Sequence, residues 1–396
     1  MKTTVAVIFG CRSVEHEISI ISAVQAMGNI DQEKYNVVPV YMSKDGVFYT
    51  DKRFFGIDIF KTPKVIEKES AKVTFVAADG KVYLEYLKGG LFGKKPIVID
   101  VAFPIVHGTN CEDGTIQGYL ETLGVPYVGC EIMSSALGMD KALFKNVLRD
   151  DGIPVLPDIT VTAREWALQR EAVVKKIEDA VGYPLIVKPT NLGSSIGISK
   201  VSSSDELTSA VDLAFSFCDR ILVEHAVEAL REINCSVLGD RNDCTPSTLE
   251  EPIMHDKILS FDDKYRGDSG AKGMASLSRK IPAELSPQKA KEIQDIAVAA
   301  FKCIGASGVV RIDFLMDTAD NDRVYINEIN TIPGSLSFYL WEATDLSYPT
   351  LIDKLISLAF KRQRERENLM FTINTNILND TSFGSKGAKG SKGKLG

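Results

Sequence analysis

In the stretch GVVRIDFLMDTADNDRVYINEINTIPG, residues 308 to 334, four polar groups interrupt an otherwise apolar pattern: Arg311, Asp313, Glu328 and Asn330. Side chains two apart on a strand point to one face, so Arg311 and Asp313 lie together, opposite Val310, Ile312 and Phe314. Glu328 and Asn330 share a face in the second run. The Asp-Asn-Asp turn at 320 to 322 predicts a hairpin that brings both pairs together. Two carboxylates, an amide oxygen and a guanidinium suit a hard cation and a bound anion, with oxygen ligands for magnesium and a planar donor for phosphate. A solvated, salt-bridged edge hairpin would use the same four residues, so this pattern alone leaves both readings open.

A second candidate is KPTNLGSSIG, in which Lys188 sits on a strand just before Gly193, Ser194, Ser195 and Gly197. Glycines let backbone N–H groups approach phosphate oxygens, and the two hydroxyls add donors. The spacing is not that of a P-loop. A further lysine, Lys141 in GMDK, completes a set that phosphoryl transfer can use: cations on the phosphates, a metal between them and a flexible cover. Each lysine also has an ordinary reading, Lys141 as a solvated helix residue and Lys188 as a strand-edge charge.

The elements that must hold these groups follow from the apolar spacing. TTVAVIFG reads as a buried strand, and the apolar positions from Ile18 onward have helical spacing; YNVVPVYMS is a further strand. PIVIDVAFPIVHG reads as one buried strand ending on His107, and DGTIQGYLETLG as a helix closed by Gly124. Polar residues at strand ends are where open α/β sheets bind ligands. From about residue 130 the pattern changes to helices at 134–150 and 163–181 followed by strand pairs, with later helices at 204–216, 286–304 and 348–366. Residues 252–279 contain a polar, glycine-rich loop, and 368–396 form a lysine- and glycine-rich tail expected to be disordered.

At 396 residues the chain is long enough for two or three domains of about 100 to 200 residues each. A net charge of −7 argues against a general nucleic-acid or anionic-membrane binder. The start has no signal-like pattern, and its first apolar run is too short to span a bilayer. The seven cysteines are scattered without a C-x-x-C pair, and the four histidines have no metal-ligand spacing. That usage fits reduced thiols in a cytoplasmic protein rather than a disulfide framework or zinc site.

Taken in order, VIFGCRSVEHEISIISA, VHGTNCEDGTIQGYLETLGVPYVG, SSALGMDKALFK, IVKPTNLGSSIGISKV, VRIDF, NEINTIPG and WEATDLSYPTLIDKLISLA resemble the blocks of the D-alanine–D-alanine ligases of the ATP-grasp superfamily. The resemblance covers residues 3 to 365. It implies an α/β fold, α+β in the ATP-binding part: a Rossmann-like N-terminal domain (1–129), then central (130–224) and C-terminal (225–367) ATP-grasp domains.

The resemblance also implies roles. Lys141 and Lys188 would contact ATP phosphates under the loop Gly193, Ser194 and Ser195. Glu224 and Val227 would meet the adenine edge, and Glu232 the ribose. Asp313, Glu328 and Asn330 would hold two magnesium ions, with manganese a possible replacement, while Arg311 and the Gly334 N–H would stabilise a tetrahedral intermediate. Glu15 would anchor the ammonium of the first D-alanine, with His107 nearby. Lys264 and Tyr265 would close over the site, Tyr265 linking through Ser194 to Glu15. The implied partners are D-alanine, ATP and a second copy of the chain in a homodimer, with no nucleic acid and no membrane.

Two departures matter. Cys11 stands where the family usually has glycine, so a positive φ there would strain it. After Gly334 the segment SLSFYLWE is unusual, leaving Ser335 or Ser337 to bind the second substrate's carboxylate. The expected product is D-alanyl-D-alanine, which the tyrosine in DDKY favours by the family's pattern. The alternatives are ligation to D-serine or D-lactate, and a nucleotide-binding relative without ligase activity.

Overall fold

The computed structural model describes residues 2–87, 94–253 and 279–372. In Thr3–Gly10 (β1) the run Val5–Phe9 can be apolar throughout because the strand lies between Tyr35–Met42 (β2) and Val101–Ile105 (β7), parallel to both. The patchy segment between them supplies Phe48–Thr50 (β3), Ala71–Ala78 (β4), Lys81–Tyr86 (β5) and Ile97–Ile99 (β6). The strand order is β6-β5-β4-β3-β2-β1-β7.

The expected single strand ending on His107 is therefore two. Asp100 divides β6 from β7, and the two stand at opposite ends of the strand order. Asp100 holds this junction by donating its N–H to Thr4 O at 3.0 Å and accepting the Thr4 N–H on its carboxylate at 2.7 Å. One continuous run of chain thus supplies both edge strands of the sheet.

A second sheet has the order β10-β9-β11-β8, built from Asp158–Thr162 (β8), Leu185–Pro189 (β9), Ser199–Val201 (β10) and Arg220–His225 (β11), all antiparallel. A third runs β14-β13-β12-β15-β16, from Leu230–Gly239 (β12), Cys244–Pro252 (β13), Arg279–Lys280 (β14), Gly308–Asp317 (β15) and Arg323–Asn330 (β16).

Two predicted helices are each broken in two. The 134–150 run splits into Ile132–Met139 and Lys141–Asp150 because the Asp140 carboxylate accepts from the Ala142 and Leu143 N–H groups and caps a new helix. That cap puts Lys141 at the first helical position and Lys145 one turn later. The 163–181 run breaks at Gln169, its first half started by a reciprocal Thr162–Glu165 capping box.

Three apolar clusters underlie the sheets. The first collects β1, β2 and β7 together with Leu351, Ile352 and Leu355 of the helix Tyr348–Glu367, so that helix buries a face in the N-terminal core. The second joins Phe144 and Leu148 to β12, β15 and the helix Pro287–Cys303, which starts on a Ser286 cap and Pro287. The third packs β8 to β11 against the helices Arg170–Ala180 and Ser204–Phe215.

Candidate active site

Strands β15 and β16 form the expected hairpin. Arg311 pairs with Asn330 and Asp313 with Glu328, so the four groups form a two-by-two patch on one face. Arg311 grips Asp313 with Nε at 2.6 Å and Nη2 at 2.7 Å. Burial works against the Arg311 charge, but Asp313 outweighs it and keeps the guanidinium protonated. Asn330 Nδ2 donates to Asp313 Oδ2 at 3.0 Å, and Lys141 Nζ lies 3.2 Å from Glu328. Among the described residues no three His, Cys, Asp or Glu side chains cluster as metal ligands. The donor set here is two carboxylates and an amide, all oxygen, which fits a hard cation that keeps water or phosphate as its remaining ligands.

A register shift after Asp313 leaves Asn327 as the extra residue on β16, and its amide oxygen accepts from Lys188 Nζ at 3.0 Å. Lys188, on β9, also bonds the Glu224 carboxylate on β11, whose other oxygen takes Lys145. All three are buried. Burial alone would raise the Glu224 pKa, yet the two lysines overrule it and bring it down to about 2. Burial lowers Lys188 to about 8, with Glu224 opposing the fall. Glu224 and Lys188 are thus both ionised at neutral pH. A cleft beside it is lined by Lys141, Lys188, Gly193, Ser195, Glu224, Val227, Glu232, Asp313 and Glu328, most of the groups expected to meet the nucleotide. The Glu224 carboxylate itself is committed to the lysines.

The adjoining cavity is lined by Glu15, His107, Glu112, Lys141, Ser194, Arg311, Asp313, Glu328 and Gly334 among others. Ser194 donates its hydroxyl to Glu15, joining the glycine-rich loop to the residue before the helix His16–Asn29. Close approach makes two glycines necessary. A Cβ on Gly193 would lie 2.8 Å from Glu15 Oε2, and one on Gly108 only 2.3 Å from Ser13 Oγ.

His107 Nδ1 lies 2.8 Å from Ile332 O, so that nitrogen carries the proton; Nε2 then accepts from Ser22 Oγ at 2.9 Å, which in turn accepts the Ser335 N–H at 2.9 Å. Burial pushes the His107 pKa down to about 4, so the ring is neutral. Its role is to hold the turn that carries Gly334. Glu112 does the same from the other side, accepting from Gly108 N at 2.9 Å and Ile332 N at 2.8 Å. Burial, with Glu15 adding to it, raises Glu112 to about 7.

Ser335, Leu336 and Ser337 all have φ near +50°, so three consecutive L-residues sit in the left-handed region, at a cost of roughly 1 kcal/mol each. Gly334 lines the cavity, but Ser335 and Ser337 do not; the Ser335 hydroxyl donates to Gln25 at 2.6 Å, and that of Ser337 is buried without a partner. Cys11 does take a positive φ, +77°, where its thiol lies 2.7 Å from that of Cys111. Lys264 and Tyr265 lie outside the described residues.

Several residues here escaped the sequence reading. Lys145 follows Lys141 by four positions, a helical spacing that could have flagged it. Glu112, Asn234, Glu250 and Arg279 gave no local signal, because each reaches the cavity through contacts between distant segments.

Residues 4–130 match the model of the D-ala D-ala ligase N-terminus and residues 147–357 that of the D-ala D-ala ligase C-terminus. The chain belongs to the D-alanine–D-alanine ligase family. It is 40% identical over 376 residues to the D-alanine–D-alanine ligase of Thermosipho melanesiensis, covering 94% of this chain and 98% of that family member. The Caldicellulosiruptor bescii ligase is 39% identical over 385 residues, covering 94% and 99%. In three dimensions the chain matches the Coxiella burnetii D-alanine–D-alanine ligase at a TM-score of 0.78 and 32% identity, covering 97% and 99%. The VanG D-Ala:D-Ser ligase of Enterococcus faecalis matches at 0.75 and 30%, covering 91% and 100%. Membership of this ligase family implies ATP as a substrate. Among the described residues no helix is long and apolar enough to cross a membrane.

Proposed function

We propose that the protein joins two D-alanines at the expense of ATP, giving D-alanyl-D-alanine, ADP and phosphate for peptidoglycan precursors. The observation that carries this reading is the Ser194–Glu15 contact in the same cavity as Arg311, Asp313, Glu328 and Asn330. On this reading Glu15 as ammonium anchor, the glycine-rich loop as phosphate loop and the charged hairpin would share one volume.

A carboxylate resists attack by an amine because oxide would have to leave. Transfer of the γ-phosphoryl group to the carboxylate of the first D-alanine, held at Glu15, gives an acyl phosphate and releases ADP. Lys141, Lys188 and the Gly193–Gly197 loop would hold the phosphates, with Val227 and Glu232 along the nucleoside. The free amine of the second D-alanine then attacks the acyl carbon, loses a proton, and the C–O bond to phosphate breaks. Arg311 and the Gly334 N–H would meet the oxyanion, while the loop over Glu15 keeps water from the acyl phosphate. Asp313, Glu328 and Asn330 would hold magnesium, which offsets the charge of the transferring phosphoryl group.

Segments 1–129, 130–224 and 225–367 would serve as donor-binding, nucleotide-binding and metal-binding parts. Family resemblance and cysteines scattered without a C-x-x-C pair support a cytoplasmic protein, and the resemblance alone supports a homodimer.

The test is phosphate release from Mg-ATP with D-alanine alone, with added D-serine and with added D-lactate, products being identified by mass. D-Alanyl-D-alanine should form from the first mixture and dominate the others. Dominance of a D-serine or D-lactate product would reassign the second substrate. No release from any mixture would favour a nucleotide-binding protein without ligase activity.

A further inference from the structure

Strands β1 and β7 run side by side and parallel, so the turns that follow them leave the same end of the sheet. Cys11 is the first residue after β1, and Cys111 lies in the turn that follows β7. The two are 100 residues apart in sequence, yet their sulfurs are 2.7 Å from each other and both side chains are 0% exposed. Other contacts clamp the turns together around them. Asn110 Nδ2 donates to Arg12 O at 3.0 Å, and Gly108 packs against Ser13 too closely to carry a Cβ. Each turn also brings a carboxylate to the cavity, Glu15 after Cys11 and Glu112 next to Cys111, while neither cysteine lines it.

Cys11 holds a φ of +77°, a conformation that glycine takes without strain and a cysteine does not. Such a residue persists where its surroundings over-determine it, and what faces this one is a second thiol. The contact offers little as a hydrogen bond, because S–H is a weak donor and sulfur a weak acceptor. Cys111 Sγ has better acceptors at hand in the carbonyl oxygens of Gly108 and His107, at 3.2 and 3.3 Å. The turns instead hold two sulfurs within easy reach of a covalent bond.

We propose that Cys11 and Cys111 are a modification site, oxidised by hydrogen peroxide to a reversible disulfide that staples the turn carrying Glu15 to the turn carrying Glu112. One thiolate attacks a peroxide oxygen, giving a sulfenic acid and hydroxide. The other attacks the sulfenic sulfur and expels a second hydroxide. With the two thiol protons, one peroxide and two thiols become one disulfide and two waters; a dithiol returns the two electrons and restores the thiols. Disulfides of reducing compartments are mostly transient and redox-sensing, and this one is of that kind. Because neither sulfur lines the cavity, the bond leaves its walls in place. Its effect falls on the unfolded chain, in which it closes a long loop. None of this depends on the ligase reading.

The experiment treats the full chain with hydrogen peroxide at about pH 8.5, where an ordinary thiol is half ionised. Remaining thiols are then alkylated, the protein is digested without reductant, and the peptides are weighed. A peptide pair joining Cys11 to Cys111, two hydrogens lighter than its parts and separated by dithiothreitol, is the expected product. The intact oxidised protein should unfold about 5 °C higher than the reduced one, and dithiothreitol should remove the rise. Cys11→Gly and Cys111→Ser should each show no such rise. Recovery of both cysteines alkylated overturns the proposal, as does their separate oxidation to sulfinic acids or their pairing with the partly exposed Cys218, Cys244 or Cys303. These mass results decide in the unaltered protein whether or not the variants fold. A joined peptide with no thermal rise overturns the staple.

Discussion

Two sets of carboxylates held by cations, one in the second sheet and one in the third, differ in exposure. Glu224 is 3% exposed between Lys145 and Lys188, themselves 0% and 4% exposed. Asp313 and Glu328, gripped by Arg311 and Lys141, are 15% and 22% exposed. The first set cannot rearrange without leaving an uncompensated buried charge, so its geometry is fixed. The second can exchange its partners, since solvent reaches both carboxylates.

Breaking the exchangeable half should cost activity above all. Glu328→Gln removes a charge from the hairpin patch and should lower kcat for phosphate release by about 1000-fold or more while the thermal transition stays near its wild-type temperature. A variant within tenfold of wild type would remove Glu328 from the metal set.

Breaking the fixed half should cost stability. Glu224→Gln leaves two buried ammonium groups without a counter-charge and should destabilise the fold by about 3 to 5 kcal/mol in denaturant titrations. A loss below about 1 kcal/mol would mean that the triad relaxes as freely as the hairpin.

The pH dependence sharpens the same contrast at the donor end. His107 falls from its ordinary 6.5 to about 4, so between those values the unfolded chain binds the extra proton and the native state does not. Its contribution is therefore present above pH 6.5 and lost as pH falls toward 4, on the order of 3 kcal/mol. Glu112, raised to about 7, acts in the opposite sense: the native state holds the proton between its ordinary 4.5 and 7, and stability falls as pH rises through that window. Comparing the stability of His107→Gln with wild type at pH 4.5 and 7.5 should isolate the histidine part. Parallel profiles would show that His107 is not buried as a neutral ring.

The smallest change concerns Ser335. Ser335→Ala loses one hydrogen bond to Gln25 and should cost about 1 kcal/mol of stability, with the KM for the second D-alanine within threefold of wild type. A tenfold rise in that KM would return the serine to the substrate.

The hairpin was readable because period two is strict: Arg311, Asp313, Glu328 and Asn330 could only fall as they do once a turn was placed between the runs. Lys188 and its glycine loop were readable for a similar reason, a strand followed by residues that only a close backbone approach requires. What stayed hidden depended on distant pairing. Nothing around Arg279 announces its contacts with Glu250 and Tyr339, and Glu112 meets Ile332 only through the fold. The break at Asp100 was invisible because both halves of its run are apolar, while Asp140 was a cap signal lost inside an apparently continuous helical pattern.

The junction at Asp100 has a practical consequence for how copies of this chain can meet. Because β6 and β7 are successive parts of one run, and Ala102 on the outer side of β7 already bridges to Tyr127, the N-terminal sheet offers little open ladder for a foreign strand. The same arrangement removes a template for edge-to-edge aggregation during purification.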